Sequence, residues 1–205
     1  MKKIIAIILA AATVLCLFAA CGKNKEEILT SGDYSYVVVE NKDNPEDKTA
    51  KIVKYNGAEE VDELTVPSEF DGVPVTVIGE SAFEGSEALK KVNLPKDLKT
   101  IEKRAFAGSS IFSVFVLSSN DLDTIEAEAF KDCAKLVQVD IKTVNSIGKD
   151  AFAGCSALVV FTLRSDVELS PDSFTDSRSF KFVIHKECEK VSAFAESNGY
   201  EVQIF

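Results

Sequence analysis

The sequence predicts a mainly β solenoid built from stacked units of 22 to 24 residues, with a cap at each end. An apolar residue stands four positions before an Ala-Phe pair in four copies of one phrase, and a weaker fifth copy ends in Ser173 and Phe174. The five phenylalanines follow one another at intervals of 23, 24, 22 and 22 residues. Such a period indicates stacked units, because a unit of this length cannot bury its apolar face alone.

The residues after each phenylalanine predict the content of a unit. The third position is always Ser or Cys, the sixth is Leu or Phe, the ninth is Val or Phe, and the eleventh is apolar except in the last copy. The ninth and eleventh positions alternate with polar or variable residues, which is the period of a strand with one buried face. We therefore expect one short strand in each unit, and a small residue at the third position where interior space is tight.

The phenylalanines are expected to form one continuous buried stack along the solenoid. Its members are Phe83, Phe106, Phe130, Phe152 and Phe174. Phe130, in the middle, should contribute strongly to stability, and Phe174, in the weak terminal copy, should matter less.

The net charge and the histidine content exclude several function classes. The 205 residues include 33 acidic and 23 basic side chains, for a formal charge of −10, and a single histidine, His185. We expect no nucleic-acid partner, because phosphate binding requires clustered Lys and Arg. One imidazole, and no Cys pair at two-residue spacing, leave the common zinc frameworks without ligands. We therefore expect neither a metal nor a cofactor.

The N-terminal segment predicts export. Lys2 and Lys3 precede a long run of apolar and small residues, and the small residues before Cys21 provide a cleavage site, so residues 1–20 are interpreted as a signal peptide. The alternative is a retained anchor, because the uncharged run 4–20 just reaches the lower end of the range of roughly 17 to 25 residues that spans a bilayer.

The segment Phe18-Ala19-Ala20-Cys21-Gly22 resembles the bacterial lipoprotein signal. The resemblance implies lipidation of Cys21, which would anchor the exported protein to the outer face of the bacterial membrane or cell surface, with the membrane as a partner. Residues 21–33 are short of apolar side chains and are predicted to be a flexible tether.

Three cysteines remain after the signal and Cys21 are set aside, and an odd number cannot form a complete disulfide framework. Cys133 and Cys155 hold equivalent positions in neighbouring units, where disulfide geometry is permitted in principle. Two reduced thiols that act as small apolar residues are the favoured interpretation, and their oxidation state stays open.

Both ends of the solenoid carry patterns typical of caps. Residues 34–40 alternate as a strand, 41–47 form a polar turn, and 51–55 supply a second strand, which predicts an N-terminal hairpin. Residues 187–197 have a helical pattern that stops at Asn198 and Gly199, and a final strand is expected at 200–205.

The series Leu89-x-x-Val92-x-Leu94 and its counterparts in later units resemble leucine-rich repeats. More narrowly, the phrase Ile-x-x-x-Ala-Phe-x-Gly/Asp-Cys/Ser is similar to the BspA-like, or treponemal, class found on bacterial surfaces. The resemblance covers most of residues 51–205 and implies a right-handed, curved stack with a parallel sheet along one side and short helical or 3-10 segments. It implies an N-terminal cap and opening repeat at 34–77, repeats at 78–185 and a C-terminal cap at 186–205.

No residue is assigned a catalytic role. His185 lies near Cys188, but nothing in the sequence converges there to orient a base. Asp43, Glu46 and Asp47 lack the spacing of a calcium loop and are interpreted as a solvated turn.

The outward positions of the predicted strands are the candidate ligand face, because solenoids commonly bind through a repeated surface. The face comprises Lys91, Asn93, Val114, Val116, Gln138, Asp140, Val160, Thr162 and Arg164. The three valines are apolar where the repeat permits polarity, although β-branched residues also simply suit strands. The resemblance implies a non-catalytic adhesion protein, expected to be a monomer with a protein ligand. The alternative is a carbohydrate- or nutrient-capture lipoprotein that assists a transporter or degradative complex, and an enzyme ranks third.

Overall fold

The computed structural model describes residues 27–58, 60–116, 122–177 and 180–205, and these residues form a solenoid with two sheets. In chain order the strands are β1 (Leu29–Ser31), β2 (Tyr34–Glu40), β3 (Lys48–Tyr55), β4 (Val61–Thr65), β5 (Glu69–Phe70), β6 (Val73–Ile78), β7 (Leu89–Leu94), β8 (Thr100–Ile101), β9 (Ser113–Val116), β10 (Leu122–Ile125), β11 (Gln138–Ile141), β12 (Val144–Ile147), β13 (Val160–Leu163), β14 (Lys181–Ile184) and β15 (Glu201–Ile204). A 3-10 turn covers Pro171–Phe174, and one helix, α1, covers Glu189–Asn198.

The mainly β solenoid is confirmed, but the expectation of one strand in each unit is wrong. The first sheet has the order β1-β2-β3-β6-β8-β10-β12, with β5 paired to β6 on the side, and the second has the order β15-β14-β13-β11-β9-β7-β4. The extra strands contain the apolar residue that opens the first four phrases, such as Ile101 in β8 and Ile125 in β10. These strands do not show the two-residue period of a strand with one buried face: in β10 and β12 both end residues are buried and the two between them are not, and β8 has only two residues.

Each phenylalanine lies in a tight turn, and in the first four units this turn connects a strand of the first sheet to a strand of the second. The residue two positions after the phenylalanine has a positive φ in every unit, and it is Gly or Asp each time: Gly85, Gly108, Asp132, Gly154 and Asp176. Glycine adopts this left-handed conformation at no steric cost, and Asp tolerates it better than most residues. The geometry of the turn therefore explains the Gly/Asp position of the repeated phrase.

The predicted stack of phenylalanine rings is confirmed and extends one ring further. Successive ring centroids from Tyr55 through Phe83, Phe106, Phe130, Phe152 and Phe174 lie 5.2, 4.8, 5.1, 5.0 and 5.6 Å apart. Neighbouring rings are tilted by at most 21° from parallel. All five phenylalanines are buried, and the stack ends at the ring of Tyr55, the last residue of β3 in the N-terminal hairpin.

The small residue at the third position hydrogen-bonds to the unit before it. Cys133 Sγ donates to the Phe106 carbonyl at 3.1 Å, Cys155 Sγ to the Phe130 carbonyl at 3.3 Å, and Ser177 Oγ to the Phe152 carbonyl at 2.7 Å. Cys133 and Cys155 are free and buried. Ser and Cys share this position because each is small and carries one donor, a reason beyond the tight space expected from the sequence.

Both caps are present. β2 and β3 form the antiparallel hairpin, and Tyr36 stacks on Phe70 at 4.3 Å beneath it. β1 adds a third antiparallel strand, so Leu29–Ser31 belongs to the sheet and the predicted tether extends too far. These residues are ordered by backbone pairing with β2, which a composition-based argument does not detect.

At the other end, α1 stops at Gly199 in the left-handed conformation, and β15 pairs in parallel with β14. Among the described residues no helix is long and apolar enough to cross a membrane. The predicted signal peptide and Cys21 lie outside the described residues.

Candidate binding face

The outward face of the second sheet is set by strand register. Buried Val92, Val139 and Phe161 point into the core, and the residues on either side of each point outward. The outward face, as we define it, contains Glu63, Thr65, Lys91, Asn93, Ser113, Phe115, Gln138, Asp140, Val160, Thr162, Lys181, Val183, Glu201 and Gln203.

The structure places most of the expected ligand-face residues together. Gln138, Asp140, Val160 and Thr162 lie side by side on the paired strands β11 and β13. Lys91 and Asn93 lie on β7, and β9 separates them from β11. Their part in binding stays a prediction. Arg164 follows β13, and its guanidinium carbon lies 5.5 Å from the centroid of the Phe205 ring.

The assignment of Val114 to this face is wrong. Val114 is 1% exposed and pairs with the inward residues Val92 and Val139, so its neighbour Phe115 points outward instead. The segment from the stacked Phe106 to the inward residue Val114 is one residue shorter than the segment from Phe83 to Val92 in the preceding unit. Ile111 fills the interior position of this shorter segment. The side chain of Val116 lies outside the described residues, although its backbone pairs with Leu94.

The last unit has the same one-residue displacement. Phe182 and Ile184 are buried, while Val183 lies on the outward face beside Thr162. A shift of one residue exchanges the two faces of a strand. Among the described residues, the aromatic side chain on the outward face is thus Phe115, whereas Phe182 is buried.

The β4 end of the outward face is an ordered polar network. Lys91 Nζ contacts Glu63 at 2.8 Å, and Asn93 Nδ2 donates to Glu63 at 2.7 Å and to Thr65 at 3.2 Å. The hydrogen bond from Lys91, followed by that from Asn93, lowers the pKa of the Glu63 carboxyl. The same ammonium lies 5.1 Å from the centroid of the half-buried Phe115 ring, which helps to hold this ring in place.

The centre of the face combines apolar groups with a carboxylate. Asp140 pairs in register with Phe115 on one side and Thr162 on the other, and all three are half-buried. Within the described part of the chain, no ion-pair partner is found for Asp140. Lys181, further along, pairs with Glu201 at 3.2 Å. The centre therefore offers an uncompensated negative charge beside an aromatic ring.

An apolar row borders the outward face where the strands begin. We define it as Phe112, Val137 and Val159, of which Phe112 and Val159 are 53% and 55% exposed. The Val137 N–H donates to Phe112 at 2.8 Å and the Val159 N–H to Val137 at 2.9 Å, so the three residues are neighbours across adjacent units. Sequence analysis missed this row because it counted Phe112 at the sixth position of the repeat, together with Leu136 and Leu158, which are buried. The sequence did carry a signal for this row, because an apolar residue, Val137 or Val159, follows the leucine of the sixth position in two successive units.

An open groove of about 540 Å³ adjoins the apolar row. Its walls include Leu89, Lys90, Phe112 and Lys135. Lys90 is held by Glu60 at 2.7 Å and Asp62 at 2.8 Å, and Lys135 Nζ donates to the Ser110 hydroxyl at 3.2 Å.

His185 and Cys188 do not form a nucleophile site. His185 Nδ1 lies 3.8 Å from Glu187, and Cys188 is buried at the start of α1. Burial raises the pKa of the Cys188 thiol, which disfavours the reactive thiolate. Within the residues that the structure describes, no three His, Cys, Asp or Glu side chains are grouped as metal ligands.

The repeat geometry matches a known family. A model of the BspA type leucine rich repeat region matches residues 55–197 in six copies. The chain belongs to this family. No curated protein matches the BspA-type sequence described here.

Solved structures share the fold of this BspA-type protein. The leucine rich repeat protein of T. pallidum matches with a TM-score of 0.63 at 24% identity, over 78% of each chain. A leucine rich cell surface protein from Faecalibacterium prausnitzii A2-165 matches with a TM-score of 0.60 at 23% identity, over 80% of this chain and 46% of that one.

Proposed function

We propose that this BspA-type protein is a non-catalytic binding protein that recognises a protein ligand at the bacterial cell surface. The observation that carries the proposal is the exposed apolar surface formed by the outward face together with the apolar row. Phe115 and Val160 stand at positions where the repeat permits polar residues, and Phe112 and Val159 continue the apolar surface around the edge of the sheet. Contiguous exposed apolar surface with a polar rim is typical of protein interaction sites.

The rim can supply specificity for such a ligand. Asp140 at the centre favours a basic side chain in the partner, and the Glu63–Lys91–Asn93 network presents fixed donors and acceptors at the β4 end. Charged groups at an interface contribute more to selectivity and association rate than to affinity.

Carbohydrate or nutrient capture remains the second hypothesis. Sugar-binding faces commonly stack several aromatic rings on the sugar, and among the described outward positions only Phe115 offers one. The structural evidence therefore favours a protein ligand.

Surface exposure by a lipid anchor is part of the proposal. The F. prausnitzii relative in fold is a cell surface protein, and the segment before Cys21 resembles a lipoprotein signal. Metabolic labelling with an alkyne fatty acid should mark the wild-type chain and leave Cys21→Ser unlabelled. A wild-type protein released to the medium without label would contradict the anchor.

The binding hypothesis is tested with the full chain against a panel of purified matrix proteins and a glycan array. The double variant Phe115→Ser, Val160→Thr should lose binding to any protein that the wild type captures, with an unchanged thermal midpoint, because both side chains point away from the core. Val77→Thr is the matched control, since Val77 is a half-buried valine on the first sheet, paired with Thr100. It should bind as the wild type does.

Two outcomes would contradict the proposal. Undiminished binding by a folded double variant would place recognition elsewhere. Binding to glycans without binding to any protein would favour the capture hypothesis.

A further inference from the structure

Within the described residues the two sheets have four edges, formed by β1 and β12 in the first sheet and by β4 and β15 in the second. An unpaired edge presents free N–H and C=O groups and can add a strand from another molecule. Proteins that stay monomeric usually blunt such edges with short strands, charged side chains or covering loops.

Three of the edges are blunted. β1 is only three residues long. On β12, Ser165 Oγ accepts from the Val144 N–H and donates to the Val144 carbonyl, both at 2.9 Å, and so occupies part of the edge. At β4 three carboxylates, those of Glu60, Asp62 and Glu63, share only two lysine partners, Lys90 and Lys91, so this edge keeps a negative charge that would repel an identical strand.

Among the described residues, no covering loop or net charge protects the edge at β15. Its charged residue, Glu201, is paired back to Lys181 within its own sheet. Ile204 is 60% exposed, and Phe205, immediately after the strand, is 53% exposed. β15 therefore combines an open backbone edge with uncovered apolar side chains.

The backbone direction defines which groups are free. The Phe205 N–H donates to the Ile184 carbonyl of β14 at 3.2 Å, so it points into the sheet. Because N–H and C=O groups alternate along a strand, those of Val202 and Ile204 point to the open side.

The geometry points to a two-fold dimer in which β15 pairs antiparallel with β15 of a second copy, centred on Gln203. In this register Val202 of each copy faces Ile204 of the other, so all the free groups of both residues become paired. Two apolar pairs form on the core side of the sheet.

The outward side of the same register is complementary in charge. Phe205 faces Glu201 of the second copy, and Arg164 lies over the Phe205 ring at 5.5 Å. The Arg164 guanidinium of each copy is thus brought near the Glu201 carboxylate of the other copy. The dimer leaves the central part of the outward face free, so it would present two ligand faces on one continuous sheet.

Sedimentation velocity of the full chain in mild detergent tests the proposal. The wild type should sediment as a dimer. Ile204→Pro should be monomeric with an unchanged thermal midpoint, because proline removes an N–H that points away from β14. Ile204→Thr is the matched control: it keeps that N–H and should still dimerise. The monomer expected from the sequence is the outcome that would overturn the proposal, and a dimeric Ile204→Pro would do the same.

A cross-link tests the register. Gln203→Cys, in a chain that also carries Cys16→Ser and Cys21→Ser, should form a covalent dimer on mild oxidation, because a non-hydrogen-bonded antiparallel pair has Cα atoms about 4.5 Å apart, within disulfide range. Glu196→Cys, exposed on α1, is the control and should not cross-link. Equal cross-linking of the two variants, or none in either, would overturn the register.

Discussion

Cys155 illustrates how one small side chain connects two units of the stack. It is fully buried, and its thiol donates to the carbonyl of Phe130 in the preceding unit. Ser177 makes the equivalent bond to Phe152 at 2.7 Å, which shows that an oxygen donor fits this position. The position is therefore selected by size and by the presence of one donor.

Exchanging the donor separates these two requirements. Cys155→Ser should change the free energy of unfolding by less than about 1 kcal/mol, because the hydrogen bond is retained. Cys155→Val should cost about 1 to 3 kcal/mol, since the donor is lost and a branched side chain enters a filled space. Urea titrations measure both values, and equal losses for the two variants would argue against a role for the hydrogen bond.

The buried thiols also predict a dependence on alkaline pH. Burial raises the pKa of Cys133 from 9.0 to about 11, and it raises that of Cys155 as well. Because the folded state holds these protons more tightly than the unfolded state, their contribution to stability is full below pH 9.0 and is lost as the pH rises toward 11. The double variant Cys133→Ser, Cys155→Ser should lose stability less steeply across this window. Identical slopes for variant and wild type would show that other groups dominate.

At the scale of the elements, the phenylalanine stack ends in an aromatic cluster. Phe174 contacts the next ring in the stack, Phe152, and five further rings, with centroid separations of 5.0 to 6.3 Å. The five rings belong to Phe161, Phe180, Phe182, Phe194 and Tyr200. The weak sequence match of this copy therefore does not mean a weak structural role.

Alanine substitutions compare the middle of the phenylalanine stack with its C-terminal end. Phe130→Ala should cost about 3 to 5 kcal/mol, through lost burial and a residual cavity. Phe174→Ala should cost at least as much, because more rings lose a neighbour, contrary to the order expected from the sequence. Urea midpoints measured side by side decide between the two orders. A clearly milder Phe174→Ala would mean that the cluster collapses around the gap.

At the scale of the whole molecule, the stack is stable only because its ends are covered. The hairpin of β2 and β3 covers one end, and α1 with β15 covers the other. Val191 and Ala195 are the buried side of α1, while Ala193 faces solvent. Loss of a cap would expose the aromatic cluster behind it.

A charge introduced beneath the helix tests this dependence. Val191→Asp should lower the urea midpoint strongly and increase binding of a fluorescent apolar dye, because a buried carboxylate without a partner cannot be accommodated. Ala193→Asp adds the same charge on the exposed side of the same helix and should leave both measurements near the wild-type values. If the two variants behave alike, the cap is not needed for the stability of the repeats.

The sequence by itself determined the period, the buried phenylalanines, the two caps and the BspA-type repeat, because each is encoded in local spacing that recurs unit after unit. The Lys91, Gln138 and Val160 positions were predictable for the same reason. The tertiary structure alone decided which of Val114 and Phe115 faces outward, since Ile111 and Phe112 compete for one interior place and only the neighbouring units choose between them. It also decided the first sheet, whose strands in the repeats do not alternate between buried and exposed positions, and the open edge at β15. These features depend on pairing between units, and a shift of one residue in that pairing exchanges core and surface.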